Sequence, residues 1–557
     1  MLKESYEKFN LWAEKADESI KKELIEIKDD EKEIIERFHK NLEFGTGGMR
    51  GKIGAGTNRI NVHNVARVSQ AFSNYLKKQK DFPSIVIAYD NRHFSKKFAE
   101  VAAEVFAANN IQVHLFKENT AVPILSYAVR RLAADGGIVI TASHNPPEYN
   151  GYKIYTSDGS QAIPEKIKLI IKEFENIDFF DGIKRIEVKK AKETEKISFV
   201  ENSLIEEYLD EIESYIRSLN PLLKNNLKIV YSSLHGTGLK PVTEILKRLG
   251  FEVYVVKEQM EFDPNFSTVK SPNPEDKEAF EKALNLAEEK KADLVIATDP
   301  DADRIGIFER TDKGYEDFNG NEMGIMLSNF ILNKMKEHMS LPGNGIIIKT
   351  IVSTDMIYEI AKDYGVEVEE TLTGFKFIGE KMEKYSKSSQ KKYIFGFEES
   401  YGCLANTHAR DKDAIIAAAL IVSLASDLKN KNKNIREYLE ELNKKYGYYK
   451  EYLMSFAFEG VQGNRKIIKI MDDLKKEPPI KIGDNKLIET IDYSKGHNNL
   501  PKSDVIELRY GKIKLIVRGS GTEPKIKFYI LVKGENSEES KTLISLGEDT
   551  VSNIVQG

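Results

Sequence analysis

The sequence has a single cysteine, Cys403, among 557 residues. A disulfide within the chain is therefore excluded, and nothing indicates folding in an oxidising compartment. The chain also has no run of about 18 apolar residues, and its first residues, MLKESYEKFN, lack the apolar core of a signal peptide. We therefore expect a cytoplasmic protein without a membrane span.

An excess of positive charge is also missing. The chain carries 83 basic and 88 acidic residues, a formal net charge of -5, so no broad basic surface is available for nucleic acid or an anionic membrane. An anionic ligand would have to meet a local cluster of positive charge. Apolar residues make up 41% of the chain and charged residues 31%, so we expect well-filled cores and no extended disorder.

The length of the chain is too great for one hydrophobic core, and about 150 residues per domain gives three to four domains. In three successive segments, Val- and Ile-rich runs alternate with amphipathic helical stretches, a pattern that predicts α/β domains. The last segment contains the runs KIKLIVRG and KIKFYILV, which are typical of an antiparallel sheet.

We therefore predict four domains. Three are similar α/β domains with mixed, mainly parallel sheets and helices on both faces, and the fourth is a smaller C-terminal α+β domain with an antiparallel sheet. The expected bounds are 1–205, which includes an N-terminal helical extension, then 206–318, 319–440 and 441–557.

One loop combines a hydroxyl with two titratable neighbours. The apolar strand GGIVI ends in the letters TASHNPP, whose prolines stop further sheet pairing. Ser143 is thus predicted at the carboxyl end of a strand, where parallel sheets bind ligands. With His144 adjacent and Lys153 on the next strand, its hydroxyl could be a nucleophile, or it could be a turn serine that bonds only the nearby backbone.

A second loop, DPDADR, carries carboxylates at alternate positions after the apolar strand LVIAT. If the segment is extended, Asp299, Asp301 and Asp303 point the same way and can converge on one hard cation. An EF-hand loop starting at Asp299 is excluded, because its sixth and twelfth positions would be Arg304 and Arg310 instead of Gly and Glu. The pattern suits Mg²⁺, whereas a merely solvated loop would hold repelling charges together.

Four further segments offer ligand-binding chemistry. RGSGTEP supplies an arginine, hydroxyls and exposed backbone N–H groups for a phosphate monoester, unless it is an ordinary hairpin turn. GFEES suits neutral sugar hydroxyls, unless it is an acidic surface loop. GTGGMRG lets the backbone approach a ligand, unless it is a flexible turn. Asp90 and Arg92, at the end of the strand IVIAYD, either face the ligand or form a local ion pair.

Together, the loops TASHNP, DPDADR, GFEES and RGSGTEP resemble the signatures of the α-D-phosphohexomutase superfamily, in its order and over nearly the whole chain. The length, the N-terminal extension and GTGGMRG are most similar to the phosphoglucomutase/phosphopentomutase branch. The resemblance implies an enzyme that interconverts glucose 1-phosphate and glucose 6-phosphate through a phosphoserine and a hexose 1,6-bisphosphate. The alternatives are a phosphopentomutase or phosphomannomutase and, less favoured, a phosphoserine-dependent sugar-phosphate hydrolase.

The resemblance also implies roles for individual residues. Ser143 would carry the phosphoryl group, and Mg²⁺ would lie between that phosphate and the three aspartates. The implied catalytic residues are Ser143, His144, Lys153, Arg50, Arg304 and Lys349, with the general acid or base left open between His144 and Lys153. The implied substrate-binding residues are Gly374, Lys376, Glu398, Ser400, Arg518, Ser520, Gly521 and Thr522.

The resemblance implies two small-molecule requirements, Mg²⁺ and glucose 1,6-bisphosphate, the latter as activator and intermediate. The expected partners are small-molecule sugar phosphates, with no nucleic acid and no membrane. The expected oligomeric state is a monomer or a dimer.

Overall fold

The computed structural model describes residues 2–45, 47–458, 460–519 and 525–556. The chain forms two compact units, and neither is continuous in sequence. The first unit contains Met1–Phe318, Ile378–Ser389 and Gly402–Asp427, and the second contains Asn319–Phe377, Gln390–Tyr401 and Leu428–Gly557.

The first α/β domain begins with three amphipathic helices. Asp17 and Asp30 cap the second and third of them by accepting a hydrogen bond from a backbone N–H of the first turn. The helices bury Trp12 against the rings of Phe38 and Phe179. The elements are α1 (Leu2–Lys15), α2 (Glu18–Ile27), α3 (Glu31–Phe38), β1 (Phe44–Gly45), β2 (Gly48–Lys52), α4 (Val62–Gln79), β3 (Ser84–Tyr89), α5 (Ser95–Ala108), β4 (Gln112–Leu115), α6 (Val122–Arg131), β5 (Gly136–Ile140), β6 (Tyr149–Thr156), α7 (Pro164–Glu175), α8 (Val188–Glu193), β7 (Ile197–Phe199) and α9 (Asn202–Leu219).

The sheet of this domain has seven strands in the order β1-β2-β6-β5-β3-β4-β7. Strands β5, β3, β4 and β7 are parallel, whereas β6 and β2 run antiparallel to their neighbours. Tyr89, the last residue of β3, pairs with Ile140, the last residue of β5. The loops that follow these two strands therefore leave the sheet side by side.

The second α/β domain has a five-stranded sheet in the order β12-β11-β10-β8-β9. Its elements are β8 (Lys228–Ser232), α10 (Leu239–Arg248), β9 (Glu252–Val255), two 3-10 turns (Lys257–Gln259 and Lys277–Phe280), α11 (Glu281–Lys290), β10 (Leu294–Thr298), β11 (Ile305–Thr311) and β12 (Gly314–Phe318). Strands β9, β8 and β10 are parallel, and β11 returns antiparallel to β10. The DPDADR segment is the connection between β10 and β11.

The third α/β domain contributes residues to both units. Its elements are α12 (Gly320–Glu337), β13 (Gly345–Thr350), α13 (Met356–Tyr364), β14 (Glu367–Thr371), α14 (Phe375–Ser388), β15 (Lys392–Phe397), β16 (Cys403–Ala405), α15 (Ala414–Asn430) and α16 (Ile435–Tyr446). Strands β14, β13 and β15 are parallel neighbours in that order. A capping box between Asn319 and Glu322 starts α12.

The C-terminal domain is an antiparallel sheet covered by two long helices. Its elements are β17 (Tyr448–Ala457), α17 (Gly460–Lys476), β18 (Lys481–Ile482), β19 (Asn485–Asp492), a 3-10 turn (Tyr493–Lys495), β20 (Val505–Tyr510), β21 (Ile513–Gly519), β22 (Lys525–Gly534) and α18 (Ser537–Gln556). The strand order is β17-β22-β21-β20-β19-β18.

The predicted fold class, three α/β domains followed by an α+β domain, is confirmed. None of the described helices combines the length and the apolar character that crossing a bilayer requires.

Candidate functional site

The serine loop, residues 141–150, follows β5 at the carboxyl edge of the first sheet. Ser143 is buried and adopts a left-handed conformation, with φ at 51°. Its backbone N–H donates to Oγ1 of Thr141 at 2.9 Å. Its hydroxyl donates to Oδ2 of Asp299 at 2.7 Å and lies 3.2 Å from Nδ1 of His144. Among the described residues, the hydroxyl is therefore held by two titratable side chains and not by nearby backbone.

The aspartate loop, residues 299–304, brings three carboxylates together. Asp299, Asp301 and Asp303 are buried, and one oxygen of each lies within 4.8 Å of the others. Oδ1 of Asp301 and Oδ1 of Asp303 accept no hydrogen bond from any residue that the structure describes. A buried carboxylate oxygen without a donor is costly, and a hard divalent cation would satisfy all three carboxylates. The donor set therefore fits a metal ion such as Mg²⁺.

The backbone of this loop differs from the sequence expectation. The sequence predicts convergence if the segment is extended, but residues 300 and 301 form a turn, and Ala302 is left-handed with φ at 54°. The N–H of Ala302 donates to the carbonyl of Asp299 at 3.0 Å, and Oδ1 of Asp299 accepts the N–H groups of Asp303 and Arg304, both at 3.0 Å. The carboxylates converge because Asp299 accepts the N–H groups that close a turn. The alternating side-chain directions of an extended strand do not cause it.

The loop between β8 and α10 supports the aspartate loop from behind. Thr237 donates to the carbonyl of Pro300 twice, through its N–H and through Oγ1, both at 2.9 Å. A Cβ on Gly236 would lie 2.5 Å from Cα of Pro300, so only glycine allows this approach. The letters HGTG in this segment thus mark a turn that supports the backbone of the aspartate loop.

Two lysines neutralise the aspartates. Nζ of Lys153, on β6, lies 2.8 Å from Oδ2 of Asp301 and 3.6 Å from Oδ2 of Asp303. Nζ of Lys412 lies 3.1 Å from the same oxygen of Asp303. Burial lowers the pKa of Lys153, but the charges of Asp301 and Asp303 outweigh burial and raise it above its ordinary value. Lys153 is therefore an ammonium ion in this site.

The carboxylates of the site differ in their electrostatic surroundings. Burial, followed by the charges of Asp301 and Asp303, raises the pKa of Asp299 well above its ordinary value. Burial also acts on Asp301, but Lys153 and further positive charge outweigh it and lower the pKa of Asp301. The three carboxylates thus repel one another, and a bound cation would relieve that repulsion.

His144 and two arginines complete the edge of the site. Burial, followed by the charges of Arg304 and Arg50, lowers the pKa of His144 well below its ordinary value, so the imidazole is neutral near pH 7. Arg50 donates to Oδ1 of Asn145 in the serine loop at 3.0 Å. Arg304 is ion-paired with Glu275. The structure thus brings five of the six predicted catalytic residues into the first unit.

The sixth, Lys349, belongs to the second unit. Its ammonium is fully buried and lies 2.8 Å from Asp355, 2.9 Å from Glu370 and 3.0 Å from the carbonyl of Ser353. Burial lowers the pKa of Lys349, but the two carboxylates outweigh it and raise the pKa above its ordinary value. Asp355 also binds Lys514 of β21 at 2.6 Å, so this network joins the third domain to the C-terminal sheet.

Two predicted substrate loops meet in the second unit. Oε1 of Glu398 accepts the N–H of Gly374 at 2.8 Å. Gly374 has φ at 114°, a conformation that favours glycine. Lys376 and Glu398 are buried, and Ser400 is partly exposed. The segment LTGFKF, which contains Gly374 and Lys376, therefore contacts the GFEES segment.

The predicted phosphate loop begins at the end of β21. Arg518 is partly exposed and lies opposite Val505 on β20 and Lys527 on β22. The other three predicted residues of this loop, Ser520, Gly521 and Thr522, lie outside the described residues.

A buried carboxyl where β17 meets the third domain gives a pH-dependent prediction. Burial is the largest cause that raises the pKa of Glu451 from 4.5 to about 7, and Oε1 of Glu451 accepts no hydrogen bond from the described residues. The folded state thus keeps a proton that the unfolded state releases, so stability decreases as pH rises from 4.5 to about 7. We expect Glu451→Gln to raise the melting temperature by several degrees at pH 8 and by much less at pH 5.

Thermal unfolding at both pH values checks this expectation. Glu489→Gln is the matched control, because Glu489 lies in the same antiparallel sheet but is exposed. An equal shift at both pH values in Glu451→Gln would show that packing, and not ionisation, causes it.

Sequence reasoning missed two groups that support the site. Lys412 is separated from Asp303 by more than a hundred positions, and the only local signal is the charged run ARDKD. Thr237 lies in a Gly-containing turn at the end of a predicted strand. Because loops at the carboxyl ends of strands line ligand sites, its position could have identified it. Both contacts are tertiary.

Comparison with known families identifies the architecture. The phosphoglucomutase/phosphomannomutase models match in three parts: alpha/beta/alpha domain I over residues 41–181, domain II over residues 206–314 and domain III over residues 319–446. The three matches cover more than half of the chain.

Individual proteins give the same result. The chain is 38% identical over 517 residues to a phosphoglucomutase of Staphylococcus haemolyticus, covering 90% of this chain and 92% of the relative. It is 38% identical over 543 residues to a phosphoglucomutase of Staphylococcus aureus, covering 95% and 96%. Its fold matches pp63/parafusin, a phosphoglucomutase of Paramecium, with a TM-score of 0.69 at 20% identity over 93% of this chain and 95% of that one. The chain belongs to the phosphoglucomutase/phosphomannomutase family within the α-D-phosphohexomutase superfamily, and the family and the enzyme class predicted from the sequence, a sugar-phosphate mutase, are confirmed.

Proposed function

We propose that the protein interconverts glucose 1-phosphate and glucose 6-phosphate by way of a phosphoryl group on Ser143. The observation that carries this proposal is the Ser143 hydroxyl, which is held by Asp299 and His144 beside three buried carboxylates. Relatives at 38% identity over most of the chain are phosphoglucomutases, which supports glucose as the sugar.

The proposed reaction has two transfers. In the first transfer, the phosphoryl group passes from Oγ of Ser143 to the 6-hydroxyl of glucose 1-phosphate; that hydroxyl gives its proton to a base, the serine oxygen takes up a proton, and glucose 1,6-bisphosphate forms. The bisphosphate then turns round, and its 1-phosphoryl group passes to Oγ of Ser143, which loses its proton to a base. The bond from phosphorus to the C1 oxygen breaks, that oxygen takes up a proton, and glucose 6-phosphate leaves. Little covalent chemistry is left to the protein, so positioning and charge stabilisation provide most of the rate.

The surroundings of His144 and Lys153 support a division of roles. His144 is neutral and lies beside the Ser143 hydroxyl, so it can accept a proton. Lys153 is charged and contacts Asp301, so it can donate a proton or stabilise charge on the transferring group. Residues whose surroundings separate their pKa values in this way are suited to act as base and acid.

We assign the remaining predicted residues to the two ends of the sugar phosphate. Mg²⁺ held by Asp299, Asp301 and Asp303 would neutralise charge on the phosphoryl oxygens. We assign Arg50 and Arg304 to the same oxygens, and Lys349, Gly374, Lys376, Glu398 and Ser400 to the sugar. Arg518, with Ser520, Gly521 and Thr522, would bind the phosphate that is not transferred.

The choice of sugar is tested by kcat/KM for glucose 1-phosphate, mannose 1-phosphate and ribose 1-phosphate, each with the corresponding bisphosphate present. We expect the highest value for glucose 1-phosphate. A higher value for ribose 1-phosphate or mannose 1-phosphate would instead establish a phosphopentomutase or a phosphomannomutase.

A variant of Arg518 distinguishes a mutase from a hydrolase. We expect Arg518→Ala to lower mutase kcat/KM by about 10²-fold, because the guanidinium binds the distal phosphate and that remote binding energy orients the sugar. Hydrolysis of phosphoserine 143 without sugar should not change. A coupled isomerisation assay and released inorganic phosphate measure the two rates on one preparation.

Arg509→Ala is the matched control for this variant. Arg509 lies on the adjacent strand β20 and is ion-paired with Glu507 and Glu489, so its removal should leave both rates unchanged. If Arg518→Ala slowed hydrolysis as much as isomerisation, Arg518 would act on the fold or on Ser143, and the distal role would be wrong.

A further inference from the structure

We propose that Arg92 positions the Ser143 hydroxyl by fixing the shape of the serine loop, an inference that rests on the phosphoserine chemistry proposed above. Arg92 follows β3, whose last residue pairs with the last residue of β5. Its side chain is fully buried, so it is not a ligand contact.

The guanidinium of Arg92 binds four backbone carbonyls of the serine loop. One amino group, Nη2, donates to the carbonyls of Ser143 and Asn145, both at 2.5 Å. The other, Nη1, donates to the carbonyls of Pro146 at 2.8 Å and Tyr149 at 3.1 Å. A planar group with donors in fixed directions thus defines the path of the loop from Ser143 to Tyr149.

The guanidinium is itself held from two sides. Asp90 lies 3.4 Å from its Nε, and the other oxygen of Asp90 accepts the N–H of Arg92 and the hydroxyl of Ser95. The ring of Phe266 covers the guanidinium carbon at 4.9 Å. The guanidinium of Arg92 is therefore held in one orientation, as a positioning group requires.

Two consequences connect this contact with the reaction. Ser143 is left-handed, a conformation that is unfavourable for serine unless the surroundings stabilise it, and Arg92 binds its carbonyl. Asn145, whose carbonyl Arg92 also binds, accepts a hydrogen bond from Arg50. Arg92 thus positions both the phosphoryl acceptor and an arginine that we assign to the phosphoryl oxygens.

Arg92→Lys tests the proposal. Lysine keeps the charge opposite Asp90, but a compact ammonium cannot donate to four carbonyls along two directions. In single-turnover transfer from glucose 1,6-bisphosphate to dephosphorylated Ser143, followed by intact mass, we expect the rate to fall by about 10²-fold. Mn²⁺ affinity measured by electron paramagnetic resonance, and KM for glucose 1-phosphate, should change little.

Arg67→Lys is the matched control. Arg67 is also a buried arginine of the first domain, it donates to the carbonyls of Ile177 and Phe174, and it lies over the rings of Phe174 and Phe179. It does not contact the serine loop, so its loss should lower the melting temperature and leave the transfer rate per folded molecule unchanged. Equal rate losses in the two variants, or a wild-type rate in Arg92→Lys, would overturn the proposal.

Two further measurements separate the remaining outcomes. If Arg92→Lys does not fold, Phe266→Leu offers a second test, because it loosens the guanidinium without removing it. We expect phosphoryl transfer to be threefold to tenfold slower, which corresponds roughly to the free energy of one buried cation–π contact. An unchanged rate in that variant would count against the positioning role. Wild-type protein that takes up no phosphate on Ser143 would instead refute the proposed function.

Discussion

Ser143→Ala should abolish turnover while the protein still folds. Within the described part of the chain, the Ser143 hydroxyl contacts Asp299 and His144, so its removal costs about one hydrogen bond, roughly 1 kcal/mol of the free energy of unfolding. Its loss as phosphoryl carrier removes the reaction path itself, and we expect kcat to fall by at least about 10⁴-fold. A coupled isomerisation assay measures the rate, and intact mass should show no phosphate adduct.

Ser84→Ala is the control for this variant. Ser84 begins β3 at the amino edge of the same sheet, and its hydroxyl lies 3.5 Å from Asp135. It should keep both the rate and the phosphate adduct. Normal turnover by pure Ser143→Ala protein would refute the phosphoserine assignment.

Asp301→Asn should silence the enzyme as completely as removal of the metal does. The change keeps the size of the side chain but removes the charge that faces Lys153 and that a cation would need. We expect kcat/KM to fall by about 10³-fold and Mn²⁺ affinity to fall with it. Chelation of the wild type should give the same loss, and added Mg²⁺ should restore only the wild type.

Asp317→Asn is the control for metal binding. Asp317 lies in the same domain, on β12, and pairs with Lys277 at a distance of 2.6 Å. It should bind Mn²⁺ and turn over as the wild type does. Full activity in wild-type protein shown by elemental analysis to contain no metal would contradict the metal assignment.

The sequence predicted those parts of the site that depend on single strand ends. Ser143 and Asp299 each follow a short apolar strand, and the carboxyl ends of such strands hold ligands in α/β sheets. The convergence of the aspartates was predicted for the wrong reason, since a turn at Ala302 and not an extended segment produces it. Local patterns place these residues at strand ends, but the backbone path of the loops depends on hydrogen bonds that periodicity does not reveal.

The contacts that the sequence did not predict join distant segments. The sequence left Asp90 and Arg92 either facing a ligand or forming a local ion pair. The structure shows the ion pair and also hydrogen bonds from Arg92 to carbonyls of the serine loop, which neither interpretation included. Lys412 reaches Asp303 from a segment that follows GFEES in the sequence. These two contacts depend on how the sheets pack against one another. Local patterns in a single sequence do not predict that packing.

The interleaved order of the two units has a consequence for synthesis on the ribosome. The first unit is complete only when Gly402–Asp427 has emerged, because that segment carries Lys412. At translation rates of about 5–20 residues per second, the stretch from Phe318 to Asp427 takes roughly 5–20 s. During that time the nascent first unit contains Asp303 but lacks Lys412. The incomplete unit is then accessible to chaperones and proteases. Chains stalled after residue 318 should therefore be cut more readily within the first unit than chains stalled well beyond residue 427.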